Sequence, residues 1–123
     1  LMQATPVTWK MLIESDWDQK LPLKVLCGGE ALSLSLAKAL CEPESIELWN
    51  MYGPTETTIW SCIKRVVPFE HQILMGQAII NTQAYVFSNI SMLTPVGVSG
   101  ELHLGGAGAP ARLARPLPRN APP

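Results

Sequence analysis

The sequence predicts an α/β fold, with a parallel α/β unit followed by a β-rich portion. Three observations predict it. A short apolar run, LKVLC (23–27), leads through a glycine pair into a helical period and then a second apolar run, IELWNMY (46–52). Strand, glycine turn, helix and strand in that order make a unit whose strands are most often parallel. Beyond Gly53 and Pro54 the text turns β-branched, and two further apolar runs are joined by a segment with the Pro and Gly signals of a hairpin.

Each element has its own signal. LMQATP reads as a strand end and a turn. Thr5 before Pro6 is a helix start, a hydroxyl cap followed by proline at the first helical position. Trp9, Leu12 and Ile13 then mark one apolar face, and SDWDQKLP (15–22) ends that helix in a loop. LKVLC is short, apolar and partly β-branched, as a buried strand is. Ser33 caps a second helix with Leu36, Ala37, Leu40 and Cys41 on one face. IELWNMY is the second strand and TIWSCIKRVV (58–67) the third. QAYVFS (83–88) and GELHLGG (100–106) are further strands, linked by NISMLTPVGVSG.

The composition excludes several classes. With 47% hydrophobic and 15% charged residues in 123, the chain is not a disordered one. A net charge of −1 gives no nucleic-acid footprint. No run approaches a membrane span, and no secretion signal opens the text. Cys27, Cys41 and Cys62 are odd in number and widely spaced, which fits neither a disulfide framework nor a zinc site. They are expected to be buried, reduced thiols of a cytoplasmic protein. Leu1 in place of methionine, and an opening in mid-strand, lead us to expect part of a longer domain. The last fifteen residues, APARLARPLPRNAPP, hold five prolines, three arginines and no acid. They are expected to be a disordered tail or the product of a reading-frame slip, so the domain proper is assigned to 1–108 and the tail to 109–123.

Polar chemistry concentrates in NMYGPTETTIW (50–60). Gly53 and Pro54 make a stiff turn at a strand's end, where α/β sheets bind ligands. Thr55, Thr57 and Thr58 offer hydroxyls to phosphate oxygens, and Glu56 is a hard oxygen ligand of the kind magnesium takes. Tyr52 can lie against a purine and Asn50 can read an exocyclic amine. The bland alternative is a polar turn leading into a threonine-rich strand. In CGGEAL (27–32) the paired glycines let a ligand approach the backbone, or simply make a tight turn; no Lys-Ser/Thr follows, so it is not a Walker loop. In GELHLGGAG, Glu101, His103 and Gly105 share one strand face, and His103 reads as a half-exposed strand residue rather than a base. His71 has no evident partner. Serine-hydrolase and zinc-protease motifs do not occur.

Together and in this order, CGGEAL, NMYGPTETTIW and GELHLGGAG resemble the adenylation domain of nonribosomal peptide synthetases, a branch of the AMP-forming acyl-adenylate superfamily. The resemblance covers 1–108 and implies part of that superfamily's large-subdomain fold. It implies activation of an amino acid by Mg-ATP to aminoacyl-AMP, then loading onto the phosphopantetheine of a carrier protein. Asn50 matches the asparagine on the adenine amine, Tyr52 the ring beside the base, and Gly53 part of the nucleotide turn. Thr55 matches the hydroxyl at the α-phosphate and Glu56 the magnesium carboxylate, while Gly29, Glu30 and Ala31 match the backbone wall of the nucleotide site. Gln3, Leu26, Gly28, Met51, Ile59 and Trp60 match the amino-acid pocket. Bulky Met51 and Trp60 in that set resemble the family's glycine-selecting pattern, with alanine or another small residue second. Implied partners are the peptidyl carrier and condensation domains of a parent synthetase; neither nucleic acid nor membrane is expected.

The family's phosphate loop, its amino-group aspartate, its ribose aspartate and its catalytic lysine would lie outside this chain. The chain alone is therefore expected to be inactive, though its parent would be an enzyme. Two other readings stand beside this one: an acyl-CoA or aryl-acid ligase of the same superfamily, and a non-catalytic interaction module or inert fragment.

Overall fold

A computed structural model describes residues 1–107 apart from Gln19, Thr58 and the Glu56 side chain. Its elements run β1 (Met2–Ala4), α1 (Pro6–Glu14), β2 (Leu23–Gly28), α2 (Leu34–Cys41), β3 (Ile46–Tyr52), a 3-10 turn (Thr55–Thr57), β4 (Cys62–Arg65), β5 (Gln77–Ala78), β6 (Thr82–Phe87) and β7 (Glu101–Gly106). The first five strands form one sheet in the order β1-β2-β3-β4-β5, and β6 and β7 form a separate pair. Strands β1, β2 and β3 are parallel, while β4 and β5 join antiparallel. The expected parallel unit followed by a β-rich portion is what the chain forms.

Both helices start where their caps predict. The Thr5 hydroxyl accepts from the Thr8 amide with Pro6 at the first turn, and the Ser33 hydroxyl accepts from the Leu36 amide (3.3 Å). Each cap satisfies a backbone donor that the helix itself leaves open. The helices pack α1 on β2 and α2 on β3. Trp9 from α1, Ala37, Leu40 and Cys41 from α2, Val25 and Cys27 from β2, and Ile46 and Leu48 from β3 make one buried cluster. Trp9 is fully buried and points its indole N–H at the Leu26 carbonyl (3.4 Å). The i, i+3, i+4 spacing and the two-residue strand period thus meet in one core.

The third strand is shorter than its sequence suggests. TIWSCIKRVV reads as β throughout, but only Cys62–Arg65 is strand. Ile59, Trp60 and Ser61 belong to the reversal from β3 to β4, and Ile59 there takes a left-handed backbone (φ 81°). Strand β5 is two residues long and carries too little periodicity to be read in advance. Strands β6 and β7 pair antiparallel through the expected hairpin. There His103 packs edge-on against Phe87, with ring centroids 4.8 Å apart, as a strand residue. The expected tail, 109–123, lies outside the described residues. Among those described, no helix is long and apolar enough to cross a membrane.

All three cysteines are free and buried. Burial, followed by the nearby Glu30 carboxylate, pushes the Cys27 thiol from 9.0 up to about 11. The unfolded chain therefore loses that proton first. The stability linked to Cys27 is present below pH 9 and falls between 9 and about 11. Urea titrations across that window should show Cys27→Ala losing less stability with rising pH than the parent chain. Trp9→Ala should cost about 3–5 kcal/mol at neutral pH, from lost burial and an unfilled cavity. A loss under about 1 kcal/mol would mean that α1 is not packed as described.

Candidate functional site

Three segments close on one cavity at the carboxyl ends of the parallel strands. The register pairs Cys27 with Asn50 and Gly28 with Met51, so the loop after β2 and the turn after β3 leave the sheet side by side. Gly29 turns the chain there with a left-handed backbone (φ 89°) that a side chain would strain. The resulting cavity, about 410 Å³, is lined by Gly29, Glu30, Ala31 and Leu32 from the first loop and by Asn50, Met51, Tyr52 and Gly53 from the second. Ile73 and Met75, between β4 and β5, complete it. Its size falls within the range of ligand pockets, roughly 300–1,000 Å³.

The turn after β3 is held by close backbone contact. A methyl group on Gly53 would sit 2.1 Å from the Ile59 carbonyl oxygen and 2.7 Å from the Trp60 Cα, so only glycine fits. The Ser61 amide donates to the Tyr52 carbonyl (2.8 Å) and closes the loop. Inside it, the Thr57 amide and hydroxyl both donate to the Pro54 carbonyl, at 3.0 and 3.1 Å, and the Thr57 hydroxyl also meets that of Ser61. Thr57 thus spends its hydroxyl on the turn rather than presenting it to a phosphate. Thr55 is exposed at the start of the 3-10 turn and is not among the residues lining the cavity. The Glu56 side chain and Thr58 lie outside the described residues.

Asn50 is nearly buried, at 8% exposure, and its Nδ2 donates to the Leu74 carbonyl (2.9 Å). That bond orients the amide and leaves Oδ1 as the acceptor it can offer a ligand. Tyr52 is 37% exposed at the cavity's edge.

The residues expected to hold an amino acid are arranged on the other side of the sheet. Gln3 is paired with Leu26, and Gly28 with Met51, and the two-residue strand period puts these four on the face opposite Asn50 and Tyr52. Trp60 covers Gly28: a methyl group there would meet its Cη2 and Cζ3 atoms at 2.5 Å and the Met51 carbonyl oxygen at 2.6 Å. Ile59 is 64% exposed, unlike the half-buried Leu26 and Met51.

Sequence reasoning missed Ser61, Leu74, Ile73 and Met75. Ser61, fully buried, was visible only as a lone hydroxyl in an apolar run. Leu74 acts through its backbone carbonyl, which no side-chain pattern announces.

The sequence profile of the family described as "AMP-binding enzyme" matches residues 1–111. A dimodular nonribosomal peptide synthase of Bacillus subtilis (strain 168) is 42% identical over 115 residues, which is 88% of this chain and 4% of that protein. A solved four-domain nonribosomal peptide synthetase, in its holo form with AMP and glycine bound, superposes with a TM-score of 0.79 at 48% identity. The match covers 87% of this chain and 8% of that one. A synthetase protein containing adenylation and PCP domains gives a TM-score of 0.77 at 27% identity, over 92% of this chain and 25% of that one. The chain spans only a small part of each relative, yet the profile matches nearly all of it, and the chain belongs to the AMP-binding enzyme family, alongside the adenylation domains of nonribosomal peptide synthetases.

Proposed function

We propose that this chain supplies the nucleotide wall and part of the amino-acid pocket of an adenylation site. There, an amino-acid carboxylate attacks the α-phosphorus of ATP, giving aminoacyl-AMP and pyrophosphate. The observation that carries the reading is the single cavity where the Gly29–Leu32 loop meets the Asn50–Gly53 turn. Its chemistry suits adenine. Leu32, Ile73 and Met75 give apolar walls, the Tyr52 ring can stack at the edge, and Asn50 Oδ1 can accept from the exocyclic amine. Gly29, Glu30 and Ala31, which also line the cavity, would offer backbone to the nucleotide, and Gly53 would keep the turn tight enough to hold Tyr52 beside the base.

Thr55, at the head of the 3-10 turn, would donate its hydroxyl to an α-phosphate oxygen as negative charge builds there. Among the described residues no three His, Cys, Asp or Glu side chains gather to cage a metal. Magnesium needs no such cage, since it keeps water and phosphate ligands and takes only one or two carboxylates. In this reading Glu56 is that carboxylate, and the ion neutralises phosphate charge when bound. Thr55 and Glu56 are the residues we assign to catalysis.

For the amino acid we propose glycine, with alanine or another small residue second. Trp60 packed on Gly28, beside Met51, leaves space for little side chain, and the 48% identical structure carries glycine with AMP. Gln3, Leu26 and Ile59 would complete the pocket. The acyl group would pass to the phosphopantetheine thiol of a peptidyl carrier domain, with a condensation domain downstream, in a cytoplasmic synthetase.

Calorimetric titration of the chain with AMP should show binding that weakens about tenfold or more in Tyr52→Ala, the scale of a lost base stack. No heat from a chain whose circular dichroism confirms its fold would rule out the nucleotide reading. Trp60→Ala in the full-length enzyme should shift ATP–pyrophosphate exchange from glycine toward larger apolar amino acids. Each methylene gained is worth roughly 1–3 kcal/mol of discrimination. An unchanged preference would exclude Trp60 as the volume gauge.

A further inference from the structure

We infer that Lys64 and Glu70 are positioning residues for base recognition: their ion pair tethers the segment 66–76 to β4 so that the Leu74 carbonyl holds the Asn50 amide with its acceptor toward the nucleotide. The inference rests on the nucleotide reading above and specifies how its base is read.

The segment leaves β4 and returns to it, and three anchors hold it. At its start Val66 is buried and its amide donates to the Leu48 carbonyl (2.9 Å). At its end Gly76, with a left-handed backbone (φ 86°), lies so close to β4 that a methyl group would meet the Ile63 carbonyl oxygen at 2.2 Å and the Lys64 Cβ at 2.5 Å. Between them, Lys64 Nζ donates to Glu70 Oε1, and the two side chains are only 24% and 16% exposed. The second oxygen, Glu70 Oε2, is buried with no hydrogen-bond partner among the described residues. Lys64 is therefore the charge that keeps this carboxylate in place, and a partly buried pair is screened less than a surface one.

The position of Lys64 connects the tether to the site. It pairs directly with Asn50 across β3 and β4. Four residues after Glu70, Leu74 accepts from Asn50 Nδ2, and its neighbours Ile73 and Met75 line the cavity. An asparagine amide rotates readily about its last torsion, so what fixes its polarity is the partner of one end. With Nδ2 held by Leu74, the atom presented is Oδ1, which favours a base carrying an amine over one carrying a carbonyl at the same position. Loosening the segment would let the amide turn over and present a donor instead.

The test compares AMP with IMP, which differ in that group, in the parent chain, Lys64→Met and Lys64→Arg. Calorimetry should show the AMP preference falling about tenfold in Lys64→Met, the scale of one hydrogen bond and its unpaired remainder. Lys64→Arg, which keeps the pair, should retain it. Hydrogen exchange of the amides at 71–76 should quicken in Lys64→Met but not in Lys64→Arg. If the parent binds AMP and Lys64→Met keeps the same AMP-to-IMP ratio, the inference is overturned. If the parent binds neither nucleotide, the functional reading fails and exchange alone decides the tether: selective quickening in Lys64→Met upholds it, and unchanged exchange removes it.

Discussion

The parallel register of β2 and β3 is the constraint on which the site depends. Cys27 lies beside Asn50 and Gly28 beside Met51, so both chains leave the sheet at the same level. One of them turns at a left-handed glycine and the other at Gly53. Shifting the register by one residue would reverse the faces of β3. Asn50 and Leu48 would then leave the helix side, and the core and the cavity would be lost together. The buried cluster of Val25, Cys27, Ile46 and Leu48 under Trp9 and Leu40 holds the register, because a slip would turn Glu47 toward the helices in place of Leu48.

The same alternation separates two tasks along a single strand. Asn50 and Tyr52 point to the side where the 66–76 segment crosses, with the Asn50 amide bonded to Leu74. Met51 points to the opposite face with Gly28, Leu26 and Gln3. In the proposed reading, a nucleotide whose base lies on one side and an amino acid held on the other would bring the α-phosphate and the carboxylate together at the strand's end. On that reading, the strand period would let one three-residue stretch serve both halves of an adenylation site.

Close approach around the turn leaves little freedom at particular residues. Gly53 lies against the Ile59 carbonyl and Gly28 against the Trp60 ring. Ile59, a β-branched residue in a left-handed conformation, marks backbone strain at this turn. It is held by the Ser61–Tyr52 hydrogen bond and by the Thr57 contacts within the loop. A rigid bend of this kind keeps Tyr52 at the cavity without further ordering when a ligand enters.

Much of this was legible in the letters alone, where local chemistry decides the outcome. Thr5-Pro6 and Ser33 mark the helix starts because an open backbone donor needs a nearby oxygen. The apolar runs 23–27 and 46–52 mark strands because they are short, apolar and partly β-branched. Asn50, Tyr52 and the glycines stood out because a tight polar turn at a strand end is a recognisable arrangement. The tertiary structure alone decided the rest, since it depends on residues distant in sequence. The third strand begins only at Cys62, after the reversal at Ile59, Thr57 turned inward to Ser61, and Leu74 came to the cavity through a backbone carbonyl. Trp60 came to rest on Gly28 across a gap of 32 residues. Propensity and spacing act over a few positions, whereas a shared cavity wall is made by whichever segments packing brings together.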